Sequence, residues 1–263
     1  MSDATRPNYP IESVDRALRL LSTFRNRPAI SLSEVADELA ITRSSAHRLL
    51  AMFVWHGYAQ QNPRTKEYLV GPRLLELGLG VLRQMEIVGR ARPFIRELAE
   101  RFGETVHLAV LTGSEVSFVD GIESTKPLRA GLRVGVSLPA HATATGKVLL
   151  AALPPAELDV LYPGVALDPC TPHTLGRRAD LETELAVIRE LGYAVNDQES
   201  EPGLVAVAVA FPDPTGVARA AVAVATPSVR ADQAFLAELG QRMARQVTAP
   251  TGPGSSRERG AGA

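Results

Sequence analysis

The sequence predicts a two-domain α+β chain. Its 263 residues exceed the usual size of one domain, so two domains are expected. Up to about residue 72 the apolar residues recur mainly at helical spacing, whereas after Gly103 short runs typical of strands alternate with further helices. Strands surrounded by helices, without strict β-α-β alternation, indicate an α+β fold.

Three short helices are predicted at the start of the chain. Apolar residues on one face span 11–24, and Ser31 with Glu34 matches a capping box that opens a second helix through residue 39. After a two-residue turn, Thr42 is the next N-cap, for a helix over about 43–56. Two short helices joined by a tight turn indicate a helix-turn-helix, although the turn lacks the glycine that is frequent there.

A β-hairpin is predicted directly after this third helix. Residues 58–61 and 67–70 have strand character, and 62–66 have turn chemistry. A hairpin in this position is the wing of a winged helix-turn-helix. Arg64 and Lys66 lie at its tip, where they could hold a phosphate backbone.

The charge is distributed unevenly along the chain. Residues 1–73 hold 10 Lys and Arg against 7 Asp and Glu, a net of +3, and residues 74–263 hold 18 against 22, a net of −4. This asymmetry suggests that only the first domain meets a polyanion. The candidate DNA-binding residues on the helix and the wing are Thr42, Arg43, Ser44, Ser45, His47, Arg48, Arg64 and Lys66.

Different roles are open to these residues. Arg43 or Arg48 could pair with a guanine edge, and the serines could donate to phosphates. His47 could do neither. The alternative is a solvated polar face with incidental arginines, and charge alone does not separate the two interpretations.

The rest of the chain divides into a helical connector over 73–102, an α+β domain over 103–247 and a tail over 248–263 that is predicted to be disordered. The leucine-rich face after residue 73 is either ordinary core or a dimer seam. Strands are expected over 104–111, 115–122, 133–138, 193–198, 204–211 and 217–225, and helices over 144–153, 155–161, 179–191 and 231–246.

Several function classes are disfavoured. No apolar run approaches the roughly 18 residues of a membrane span, and no secretion signal opens the chain, so a cytoplasmic protein is expected. Cys170 and His173 give two metal ligands at most, fewer than zinc requires. His107, His141 and Asp197 match no ligand spacing, and no phosphate loop, GxSxG or HExxH occurs. We therefore expect no cofactor, no metal and no enzymatic activity.

Six stretches together resemble the IclR family of bacterial transcriptional regulators. They read SVDRALRLL, SLSEVADELAITRSSAHRLL, HGYAQ…KEYLVGPRLLELG, LPAHATATGKVLLA, GYAVNDQESEPGLVAVAVA and ARAAVAVATPS, over about residues 11–245. The resemblance implies a winged-helix reader of double-stranded operator DNA. It also implies a GAF-like C-terminal domain that binds a small-molecule effector, and assembly as homodimers or dimers of dimers.

The resemblance places the effector at Leu138, Ala144, Thr145, Asn196, Asp197, Ala206, Ala223 and Ala225. Relatives that bind small keto acids have polar groups, including serines, in place of Ala223 and Ala225 and a cysteine in place of Ala206. The alanines leave space for a bulkier or aromatic ligand, or are simply small core residues.

Thr143, Thr145 and the first N–H groups of their helix form a candidate carboxylate cradle, which is compatible with Thr143 being a plain N-cap. We expect a ligand-responsive regulator, either repressor or activator, that responds to an aromatic or other organic acid. The alternatives are a small-molecule sensor without a DNA role and an enzyme built on the GAF-like sheet.

Overall fold

The computed structural model describes residues 9–24, 27–213 and 215–248. The chain forms two compact units that divide between Met85 and Glu86, inside the segment expected as a connector. Of the tail predicted to be disordered, only Thr248 is described, as the last residue of a helix, and 249–263 lie outside the described residues. No helix in the described ranges is both long and apolar enough to cross a membrane.

The first unit contains four helices and a small sheet among its described residues. The elements are α1 (Glu12–Thr23), β1 (Ala29–Ile30), α2 (Leu32–Glu38), α3 (Arg43–Trp55), β2 (Ala59–Gln61), β3 (Tyr68–Val70) and α4 (Pro72–Gln84). The strands are antiparallel in the order β1-β3-β2. The strand β1 was not predicted, because two residues are too few to show an alternating pattern.

Local capping defines the helix-turn-helix. The Ser31 hydroxyl accepts the N–H of Glu34, and the Glu34 carboxylate accepts the N–H of Ser31, which completes the predicted capping box at α2. Thr42 caps α3 as expected. Ala40 adopts a left-handed φ of +52° in the turn between them, the conformation for which glycine is the usual choice. A core that includes Leu20, Ile30 and Leu50 is buried beneath these elements.

The second unit contains a six-stranded antiparallel sheet in the order β6-β5-β4-β9-β8-β7. Its elements are α5 (Glu86–Phe102), β4 (Thr105–Thr112), β5 (Glu115–Ile122), β6 (Ser137–Pro139), α6 (Ala144–Ala151), α7 (Pro155–Leu161), α8 (Arg178–Leu191), β7 (Ala194–Asp197), β8 (Leu204–Pro212), β9 (Ala218–Pro227) and α9 (Gln233–Thr248).

Alternation of valine and alanine separates the two faces of this sheet. On β8 and β9, Val207, Val209, Val222 and Val224 pack with residues of α5 and α9. The intervening alanines, such as Ala208 and Ala223, face α6 and α8. Successive side chains on a strand point to opposite faces, so the small residues leave room on one face, where α6 is buried along its whole length.

One predicted strand is largely absent. Instead of 133–138, the structure has only the three-residue β6. Gly135 adopts a φ of +86°, which interrupts the extended conformation, and the preceding residues form an irregular segment that follows β5.

Candidate functional site

The exposed face of α3 carries the predicted DNA-binding residues. Every candidate from Thr42 to Arg48 is exposed, whereas Ala46 between them is buried in the core. The Thr42 hydroxyl accepts the N–H of Ser45 at 3.2 Å and lies 3.0 Å from the hydroxyl of Ser44 and from that of Ser45. A cluster of three hydroxyl groups therefore surrounds the N-terminus of this helix.

The distribution of charge around the N-terminus of α3 favours binding of an anion. The first turns of α1 and α2 contain acidic residues, but that of α3 contains none. Within the described ranges Arg43 and Arg48 form no ion pair, whereas Arg16 and Arg27 are held by Glu12 and Glu38. A helix N-terminus attracts anions, and two unpaired guanidinium groups strengthen that attraction.

The wing presents two further cations. The Asn62 side chain accepts the N–H groups of Arg64 at 2.9 Å and Thr65 at 3.3 Å, which fixes the tip of the hairpin. Lys66 adopts a φ of +64°. Arg64 and Lys66 are both exposed, and in the described part of the chain neither is paired with a carboxylate.

A second candidate site is a cavity on the alanine face of the six-stranded sheet. Six of the eight predicted effector residues line it, together with six further residues: Ala144, Thr145, Asn196, Ala206, Ala223 and Ala225, with His107, Phe118, Arg133, Thr143, Ser200 and Leu204. Leu138 is not in this lining and packs against the neighbouring apolar core. Asp197 follows the inward-facing Asn196 on β7 and is exposed.

The floor of the cavity follows the register of the sheet. Asn196 pairs with Ala206, and Ala206 pairs with Ala225 on the next strand. Ala223, two residues earlier on β9, pairs with His107 on β4. The floor therefore crosses three strand spacings, about 14 Å in all, and only small side chains lie between its two polar ends.

The roof of the cavity is the N-terminus of α6. The Thr143 hydroxyl accepts the N–H of Gly146 at 3.0 Å and so acts as the N-cap. Thr145 is 2% exposed, yet its hydroxyl has no hydrogen-bond partner among the described residues. Burying a hydroxyl without a partner is unfavourable. The first N–H groups of a helix also lack intrahelical acceptors, so this end of the cavity offers donors to an anionic group.

Asn196 is already engaged by the protein. Its amide nitrogen donates to the carbonyl of Ala142 at 2.6 Å and to Ser200 at 3.3 Å, and its oxygen accepts the N–H of Glu199 at 3.2 Å. The residue therefore joins β7, the turn after it and the segment before α6. Asn196 therefore lines the cavity as a residue that holds these segments together.

His107 and Arg133 are cavity residues that sequence reasoning did not assign to this site. The Nε2 atom of His107 accepts the backbone N–H of Arg133 at 3.2 Å. Burial, followed by the positive charge of Arg133, lowers the pKa of His107 to about 4, so the ring is neutral at pH 7. In the sequence His107 stands within an apolar strand, a position that by itself is typical of a core histidine.

The residues considered for metal or thiol chemistry do not converge. No three His, Cys, Asp or Glu side chains of the described ranges form a metal-binding group. Cys170 lies at the surface, and partial desolvation by its neighbours together with the negative charge of Asp168 raises the pKa of its thiol, opposite to what an activated nucleophile needs. His141 is buried with Nε2 against the carbonyl of Asp168 at 3.0 Å.

Comparisons with known proteins agree with this two-unit architecture. Residues 13–63 match the family model described as the IclR helix-turn-helix domain, and residues 79–249 match that of the bacterial transcriptional regulator IclR C-terminal domain. The transcriptional regulator XynR of Escherichia coli is 36% identical over 89% of this chain and 93% of its own. The regulator BhcR of Paracoccus denitrificans is 33% identical over 87% and 82%.

Solved structures give the same result. A regulator from Rhodococcus superposes with a TM-score of 0.76 at 30% identity, over 90% of this chain and 95% of that one. An IclR homologue from Microbacterium hydrocarbonoxydans, solved with 4-hydroxybenzoate, has a TM-score of 0.76 at 26% identity, over 89% and 97%. These relatives are named as regulators and not as enzymes.

Proposed function

The chain belongs to the IclR family of bacterial transcriptional regulators and is a ligand-responsive, DNA-binding protein, and from that premise we propose which residues perform each task. The N-terminal part of α3 enters the major groove of operator DNA, where Arg43, Ser44, His47 and Arg48 face the bases and the neighbouring phosphates. Recognition helices of helix-turn-helix proteins read base edges with residues near their N-terminus.

The unpaired cations on α3 are the observation that carries this assignment. Arg43 and Arg48 are exposed on a helix whose Ala46 and Leu50 are buried. Arg16, Arg27 and Arg73 of the same unit are instead paired with carboxylates. An arginine that is not held by the protein keeps its guanidinium free for guanine or phosphate. Ser44, Ser45 and the capped helix N-terminus supply donors to the phosphate backbone.

The wing has a supporting role. The turn around Asn62 holds the backbone of Arg64 and Thr65, and the Arg64 and Lys66 side chains are exposed at its tip. We assign them to the phosphate backbone, where they add affinity that does not depend on sequence.

The effector is proposed to be an organic acid bound in the cavity of the second unit. Its carboxylate is received by the Thr145 hydroxyl and the N-terminus of α6. The supporting observation is the unpartnered hydroxyl of Thr145, which is buried at the cavity and lacks an acceptor or donor there. The floor of Ala206, Ala223 and Ala225 favours an aromatic or otherwise apolar body, in keeping with the 4-hydroxybenzoate bound by the Microbacterium homologue.

We also propose that the protein binds DNA as a homodimer or a dimer of dimers. Leu75 lies one turn from Leu79 on α4, and Leu77 lies one turn from Val81; all four side chains are at least 45% exposed, which supports the dimer-seam interpretation of this segment. Apolar side chains exposed on a helix are suited to an interface. A regulator of this family meets its operator in the bacterial cytoplasm, which is the location we propose.

Genomic DNA selection tests the DNA assignment. The full chain is incubated with sheared DNA from its own genome, retained fragments are sequenced, and the best fragment is used in anisotropy titrations. Arg43→Ala and Arg48→Ala are each expected to weaken specific binding by about 1–3 kcal/mol. The matched control is Arg73→Ala, because Arg73 is exposed but paired with Glu76. Equal affinity of all four proteins would contradict the assignment to α3.

A further inference from the structure

An ion pair spans the effector cavity. Arg133 lies in the irregular segment between β5 and β6, and its guanidinium donates to the carboxylate of Glu201 in the turn between β7 and β8. Arg133 lines the cavity from one side, and Ser200 and Leu204, which flank Glu201 in sequence, line it from the other. The pair therefore joins two segments that enclose the same space.

The two partners differ in their freedom to move. The side chain of Arg133 is 17% exposed, whereas that of Glu201 is 62% exposed. The Nε2 atom of His107 also accepts a hydrogen bond from the backbone N–H of Arg133. Glu201 can turn into water at little cost, whereas the less exposed side chain of Arg133 stays at the cavity lining. If Glu201 leaves, another acceptor must neutralise Arg133.

Binding requires such a rearrangement. The cavity volume is about 20 Å³, which is about the room that one water molecule needs. An organic acid is several times larger, so some group must be displaced when it enters. Glu201 is the exposed partner of a contact beside the cavity, and releasing an exposed partner costs little.

We propose that Arg133 determines effector specificity by exchanging Glu201 for a second carboxylate on the ligand, so that the effector is a dicarboxylic acid. One carboxylate lies at Thr145 and the N-terminus of α6, and the other lies on Arg133. An anionic group replaces the charge of Glu201, whereas a hydroxyl group replaces only its hydrogen bond. This inference rests on the proposed function, because it takes the Thr145 end as the site of the first carboxylate.

Calorimetric titration of the full chain with matched acids tests the exchange. The probes are benzoate against benzene-1,4-dicarboxylate and butyrate against succinate, so that each pair differs in the second carboxylate. In at least one series the diacid is expected to bind about ten- to a hundredfold more tightly than the monoacid. Arg133→Met should abolish that preference, read as the ratio of diacid to monoacid affinity, and Glu201→Gln should strengthen diacid binding, because it removes the competing charge.

The control is Arg129→Met, which removes a cation from the same segment. Arg129 pairs with Glu123 and does not line the cavity, so its loss should preserve the preference. If monoacids bind through Thr145 but the diacids gain nothing, or if the gain survives Arg133→Met, the role of Arg133 is refuted while the effector site stands. If no acid of either series binds to folded, DNA-binding protein, the proposed organic-acid site fails and this inference fails with it.

Discussion

The ammonium group of Lys147 lies 2.6 Å from a carboxylate oxygen of Glu199, and no part of the lysine is exposed. The same ammonium also donates to Glu184 on α8. Burial, together with the negative charge of Glu184, raises the pKa of the Glu199 carboxyl, although Lys147 acts in the opposite direction. Through this contact α6 holds the turn after β7, which carries Ser200 into the lining of the effector cavity.

Removing the buried cation is expected to destabilise the second unit. Lys147→Met leaves Glu199 buried without its partner, and breaking a buried pair in this way costs about 3–5 kcal/mol of unfolding free energy. Lys147→Met combined with Glu199→Gln should recover part of the loss, because the charge of the buried Glu199 is removed and only the more exposed Glu184 loses its cation. Urea unfolding followed by circular dichroism measures both.

Arg129→Met provides the comparison for this prediction. Its partner Glu123 is on the surface, and both side chains are 40% exposed. Exposed pairs contribute less than about 1 kcal/mol. A loss of that small size for Lys147→Met would show that the buried network does not stabilise the fold.

His107 makes the stability of the second unit depend on pH. Its pKa falls from 6.5 to about 4 because the ring is buried and lies near Arg133. In the unfolded chain the ring takes up a proton near pH 6.5, whereas in the folded chain it does so only near pH 4. The stability from keeping the ring neutral is therefore complete above pH 6.5 and is lost as the pH falls toward 4, by ~3 kcal/mol.

His107→Gln isolates this contribution. The glutamine side chain can accept the N–H of Arg133 but does not titrate. Between pH 7.5 and 4.5 the unfolding free energy of the parent is expected to fall more steeply than that of the variant. Parallel pH profiles would contradict a depressed pKa for His107.

Whether a contact can be predicted from the sequence depends on how far apart its two residues lie in the chain. The capping box of Ser31 and Glu34 and the N-cap Thr42 involve residues three apart, so their residue types reveal them. Lys147 and Glu199 are 52 residues apart in sequence, and no local pattern identifies their contact. Their meeting depends on α6 packing across β8 and β9.

In the candidate sites, too, the features set by local sequence were predictable and the contacts between distant residues were not. The cations of α3 and the wing lie on a helix and a hairpin whose periodicity is local, so their common exposure could be predicted. The effector residues came from a family resemblance, which located the alanine floor but not Arg133. That residue lies in the irregular segment found in place of the expected strand, two residues before Gly135 with its positive φ, and its partner Glu201 is 68 residues further along the chain.

The wing is expected to change the salt dependence of DNA binding. Replacing both Arg64 and Lys66 by alanine removes two phosphate contacts for each wing on the DNA, so the slope of log K against log salt should become shallower by about two per wing. Specific and non-specific affinities should fall together. Anisotropy titrations from low to moderate salt measure the slope, and an unchanged slope relative to Arg73→Ala would place the wing away from the phosphates.

Thr145 offers a test that separates effector binding from stability. Its hydroxyl is buried without a partner, so Thr145→Val removes an unsatisfied polar group and keeps the shape of the side chain. The unfolding free energy is expected to stay within about 0.5 kcal/mol of the parent or to rise. Effector affinity is expected to fall by about tenfold or more, because the hydroxyl is a donor for the ligand carboxylate.

Two other threonines serve as controls for this result. Thr226 is also buried with an unpartnered hydroxyl, but it does not line the cavity, so Thr226→Val should leave effector affinity unchanged. Thr143→Val removes the cap on Gly146 and should cost about 1 kcal/mol of stability. If Thr145→Val and Thr226→Val behave alike in calorimetric titration, the Thr145 hydroxyl does not meet the effector, and the carboxylate end of the proposed site is misplaced.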